Sequence, residues 1–168
     1  MFLERPEVSD LMKRFGTHAC LELFGAYGVK LLHGADDREL SGPVFSSVIG
    51  LVGDKLRATC LLAATEGPLR ASCPAGEQLR DWTGELANQL VGRIKMQLFA
   101  RSVNVALSTP LTLTSVRLVP LPRSNVGPIQ FTLETEPVTV WLEVQATSDF
   151  ELGPECLPVV SIGELRLF

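Results

Sequence analysis

Two runs of apolar and β-branched residues flank a Gly-Asp pair in "VFSSVIGLVGDKLRATCLLAA", residues 44–64. That arrangement constrains the chain more than any other segment. Gly-Asp favours a tight reversal, and the runs on either side are strand-forming, so the segment predicts a buried antiparallel hairpin. A second hairpin is expected over "IQFTLETEPVTVWLEVQAT", 129–147, with its turn around Glu136 and Pro137. Shorter strand-like runs lie at 103–108 and 110–121, where Leu and Thr alternate.

Helical spacing brackets the first hairpin. Val8, Met12, Phe15, Ala19 and Leu23 recur every three or four residues, which predicts a helix over 7–27 closed by Gly25 and Gly28. A second helix is expected from Glu77 to Phe99. "HGADDRELSG" reads as a polar loop or irregular edge, and "TEGPLRASCPAGEQ" reads as a loop because of its Gly and Pro breakers. The tail, "ELGPECLPVVSIGELRLF", reads as an added edge strand or a cover over a helix. The order is helix, hairpin, helix, then strands, with a weak internal repeat of helix followed by strands. This is an α+β pattern: an antiparallel sheet with two long helices packed on one face. Length suits one domain over 1–168.

Composition excludes several functions. The net charge is −4, and a dedicated nucleic-acid binder would carry a strong basic stripe. No apolar run reaches the roughly 18 residues of a membrane span, and the N-terminus lacks the apolar stretch of a secretory signal. Cys20, Cys60, Cys73 and Cys156 form no C-x-x-C pair, and His18 and His33 stand at no zinc-like spacing from them. They read as reduced thiols of a cytoplasmic protein without a metal of its own. No G-x-G-x-x-G, G-K-[ST] or G-x-S-x-G motif occurs, so nucleotide binding and the commonest hydrolase chemistry have no signature here.

The second helix holds the informative surface. At about 100° per residue, with Leu86 at the origin, Leu79, Trp82, Leu90 and Ile94 fall within about 80° of it. Glu85, Gly92, Asp81 and Asn88 cluster between about −100° and −160°, away from that stripe. Glu85 and Asn88 are one turn apart. A glycine inside a solvent-facing helix costs about 1 kcal/mol against alanine, and one use for it is close approach of another backbone. The opposing reading is an ordinary solvated face, with Glu85 paired to a neighbouring cation and Gly92 marking a crossing strand. Arg93, Lys95 and Arg101 are further contact candidates.

Taken with its flanks, the helix is more specific. "VIGLVGDKLRATCLLAA", "GELANQLVGRIKMQL" and "VNVALSTPLTLTS" together resemble the CheX branch of the CheC/CheX/FliY chemotaxis phosphatases. The shared pattern is a glycine-turn hairpin, a helix with E-x-x-N-x-x-x-G, and a strand near Ser-x-Pro. The resemblance implies hydrolysis of the phospho-aspartate of a CheY-like receiver domain. Asn88 would orient the attacking water and Glu85 would engage the receiver's lysine. Asp81, Gly92 and Lys95 would face the partner, with Mg²⁺ carried by the receiver and no cofactor on this chain. Some relatives repeat E-x-x-N on the first helix; here that face offers Arg14, Thr17 and Leu21, which implies one site per chain. A homodimer formed by sheet pairing is also implied. The alternative is a non-catalytic receiver-binding or dimerisation module of the same fold.

Overall fold

The computed structural model describes residues 1–34, 39–119 and 127–155. In chain order the elements are β1 (Phe2–Leu3), α1 (Pro6–Ala26), β2 (Leu32–Gly34), β3 (Leu40–Val52), β4 (Leu56–Thr65), α2 (Glu66–Ser72), α3 (Leu79–Phe99), β5 (Ala106–Leu107), β6 (Leu111–Leu118), β7 (Ile129–Leu133) and β8 (Glu136–Thr147). The eight strands make one sheet in the order β2-β7-β8-β4-β3-β5; β6 also pairs with β3, and β1 with β8. Every pairing is antiparallel.

The β3–β4 hairpin is the sheet's centre, running in register from Val44↔Thr65 to Val52↔Arg57. Alternation of side chains sends Ile49, Leu51, Cys60 and Leu62 to one face, where they are buried. Both long helices cover that face, α1 against β7 and β8, α3 against β3, β4 and β6. Met12, Ala19, Leu23 and Phe24 of α1 meet Leu86, Leu90, Ile94 and Leu98 of α3 in the same apolar cluster. Each such large side chain contributes about 1.5–3 kcal/mol by leaving water. Among the described residues, no helix is long and apolar enough to cross a membrane.

Three local expectations differ from the structure. Residues 66–72 form a short helix, although Gly67 and Pro68 suggest a loop. Pro68 sits in the first turn, where its missing N–H has no partner to lose. The Glu136 carboxylate of β8 accepts the Gly67 N–H at 2.8 Å and satisfies that helix start from a distance. The turn of the second hairpin falls at Glu134 and Thr135, because Leu133 pairs with Glu136. Glu134 takes the left-handed backbone with φ 55°, and Pro137 lies within β8 opposite Thr132. Finally, the 103–108 run contributes only the two-residue β5. The tail beyond Glu155, with Cys156, and the 120–126 part of the proline-rich break lie outside the described residues.

Candidate functional site

α3 begins without a side-chain cap and carries Asp81 in its first turn, where a carboxylate favours the positive end of the helix dipole. Its buried arc is wider than its large apolar residues alone suggest. Gly84 and Ala87 are buried as well as Leu86, Leu90 and Val91. A Cβ placed on Gly84 would lie 3.0 Å from Thr112 Oγ1 of β6, and Thr112 donates to Ser47 Oγ at 3.2 Å. Helix and strand are therefore drawn together at Gly84.

The wide buried arc narrows the exposed one. Asp81, Glu85 and Asn88 are exposed on successive turns, and Gly92 is half-buried with no neighbour within 4 Å of where a Cβ would stand. The structure thus places these four on one outward face, as the helical spacing predicts. Lys95 is half-buried and lines a groove of about 720 Å³ between α1 and α3, together with Gly92, His18 and Glu22. It stands two turns beyond Asn88, apart from the carboxylates. The same face ends on Met96 and Phe99, which are 59% and 56% exposed. Exposed apolar side chains continuing a polar face suit a contact surface.

Glu85 is not free on this face. Its Oε1 accepts from Gln89 Nε2 at 3.0 Å. Gln89 in turn meets Tyr27, whose hydroxyl lies 2.8 Å from Gln89 Nε2 and 3.0 Å from Gln89 Oε1. Tyr27 caps the C-terminus of α1 and sets its ring edge-on to Trp82 at 4.9 Å. Neither Gln89 nor Tyr27 is among the residues singled out in the sequence. The signal for Gln89 was its i, i+4 spacing from Glu85; Tyr27, 62 residues away, had none.

The thiols stand apart from this face. Cys20 and Cys60 are buried. Burial pushes the Cys60 thiol up to about 12 and raises that of Cys20 also, with Cys60 adding to the effect. Half-buried Cys73 is raised by desolvation first and by Glu77 second. Among the described residues, no three His, Cys, Asp or Glu side chains converge as a candidate metal site.

No protein-family model matches the sequence, and no curated protein matches it significantly. Solved structures do match the fold. A CheC-like superfamily protein from Shewanella superposes with a TM-score of 0.67 at 17% identity, covering 79% of this chain and 96% of that one. The chemotaxis protein CheX from Vibrio vulnificus gives 0.65 at 18% identity, covering 77% and 96%. A CheX from Desulfovibrio desulfuricans gives 0.61 at 18%, covering 79% and 98%. The chain therefore has the CheC/CheX-like fold, an α+β architecture with an antiparallel sheet and two long helices on one face.

Proposed function

We propose that the outward face of α3 acts on phosphorylated CheY-like receiver domains and hydrolyses their phospho-aspartate. The observation that carries this reading is the exposure of Glu85 and Asn88 on adjacent turns beside the open Gly92, on a helix of this fold. Phosphoryl transfer to water demands positioning and charge stabilisation more than covalent chemistry. The amide oxygen of Asn88 accepts a hydrogen bond from the attacking water and holds it in line with the phosphorus. The Glu85 carboxylate receives the receiver's lysine and sets the register of the complex. The divalent cation and the lysine arrive with the receiver, so this chain supplies the water's position and the docking contact. Asp81 and Lys95 lie on the periphery of the same contact.

The same reading makes the protein one domain working in the cytoplasm, where receiver domains act. It also makes the protein a homodimer paired through β6. That strand bonds only to β3 among the described residues and exposes Leu111, Leu113 and Val116. An open apolar strand edge invites another strand.

A time course of phosphate loss from phosphorylated receivers tests the proposal. Wild type accelerates the loss, and Asn88→Ala removes about a hundredfold or more of that acceleration while circular dichroism is unchanged. Full activity in Asn88→Ala would refute the assignment. Phosphorylation-dependent binding with no change in rate would establish the non-catalytic alternative.

A further inference from the structure

We propose that Gln89 and Tyr27 are positioning residues that hold the Glu85 carboxylate for docking, so that the site is built from both long helices. The inference rests on the reading of α3 as the receiver-facing surface. An exposed glutamate samples many rotamers, and a docking contact that depends on one direction loses affinity to that freedom. Here one carboxylate oxygen is held. Gln89 Nε2 donates to Glu85 Oε1 at 3.0 Å, which leaves Oε2 for an incoming ammonium group.

The orientation of the Gln89 amide follows from its neighbours. An ionised carboxylate only accepts, so the NH₂ end must face Glu85. The NH₂ group also donates to the Tyr27 hydroxyl at 2.8 Å, and the carbonyl end lies 3.0 Å from that hydroxyl as its acceptor. An i, i+4 pair within one helix is weak and common by itself. The third member distinguishes this one, because Tyr27 comes from α1 and is itself fixed. Its ring stands at 88° to that of Trp82, which is buried and donates from Nε1 to Ser72 Oγ at 3.1 Å. Ser72 Oγ donates in turn to backbone carbonyls of α2, Pro68 at 3.1 Å and Leu69 at 3.1 Å. A surface carboxylate is thus tied, through one amide and one phenol, to a buried indole and a second helix.

Tyr27→Phe is the informative variant, since it keeps the ring on Trp82 and removes only the hydroxyl. With phosphorylated receiver as the varied substrate, it raises KM about three- to tenfold, the worth of one net hydrogen bond, and leaves kcat unchanged. In a Glu85→Ala background the same substitution has no further effect, because there is nothing left to position. An unchanged KM, or an equal effect in the Glu85→Ala background, overturns the inference. A second readout needs no receiver. The side-chain amide resonances of Gln89 in the protein alone shift on Tyr27→Phe and again on Glu85→Ala; resonances indifferent to both overturn the inference. If wild type accelerates phosphate loss from no receiver, the phosphatase reading fails, and these resonances still decide whether Glu85 is held.

Discussion

Gly92 sets stability against function. It lies well inside the 21-residue α3, and a Cβ there would meet nothing within 4 Å. Replacing an interior helical glycine by alanine is worth about 1 kcal/mol, partly because the unfolded chain loses freedom. For a chain of this size Gly92→Ala therefore raises Tm by about 2–4 °C. The open space that makes alanine free in the isolated protein is the space a receiver would enter in the proposed complex. Gly92→Leu, which projects several carbons into it, lowers kcat/KM for receiver dephosphorylation about tenfold or more, equal to about 1.4 kcal/mol. Gly25 of α1 is the control, since its Cβ position is equally open. Gly25→Ala gains less stability, being in the last turn, and leaves the rate alone. Thermal unfolding and phosphate-loss kinetics on the same preparations make the test. A lower Tm for Gly92→Ala would show that the backbone needs glycine there. Wild-type kcat/KM in Gly92→Leu would show that nothing docks at this point.

Four further outcomes follow from other parts of the fold. Gly53→Ala, at the β3–β4 turn, sets a methyl 2.6 Å from the Asn104 backbone carbonyl, and urea unfolding should show a loss of about 1–3 kcal/mol. A thiol reagent on the native protein labels Cys73 before Cys20 and Cys60, as peptide mass spectrometry would show. Because burial holds the folded Cys60 thiol near 12 against an ordinary 9.0, its contribution is complete below about pH 9 and declines as pH rises toward 12. The urea midpoint should fall over that window, and a flat profile would contradict the burial. At β6, Val116 is 81% exposed; Val116→Lys should turn a sedimenting dimer into a monomer, while a monomeric wild type would refute sheet pairing.

The long periodic elements were legible in the sequence because their spacing is a local property. The stripe of Val8, Met12, Phe15, Ala19 and Leu23 places α1 within one residue of its observed bounds, and the Gly53-Asp54 reversal joins the two central strands as expected. The misses came where distant residues decide. Gly67 and Pro68 look like helix breakers until the Glu136 carboxylate, 69 residues away, satisfies the start of α2. Pro137 marks a turn by composition. The turn instead falls at Glu134, which accepts a positive φ, and the β4 ladder begins only at Val138, beyond the proline. At the candidate site, helical angle alone separates Glu85, Asn88 and Gly92 from the core. The same angles could not show that Gly84 is buried, because small residues carry little hydropathy and its neighbour is Thr112 of β6. Nor could they find Tyr27, whose relation to Glu85 exists only once α1 and α3 lie side by side.

The outward face of α3 changes character along its length, and that order gives the proposed complex a direction. Asp81 and Glu85 occupy its first half, Asp81 in the first turn, where the helix dipole favours negative charge. Asn88 and Gly92 follow, and Met96 and Phe99 close the face with apolar surface. A partner that satisfies all of it must present a cation to the first half and apolar side chains to the second. Reversing the partner would set its cation against Met96 and Phe99 and leave two carboxylates facing apolar surface, and both mismatches carry a desolvation cost. The amide at Asn88 falls at the boundary between the two halves. A group anchored by its cation on one side and by apolar contact on the other is held there in position and orientation, which hydrolysis of a phosphoryl group by a single placed water requires.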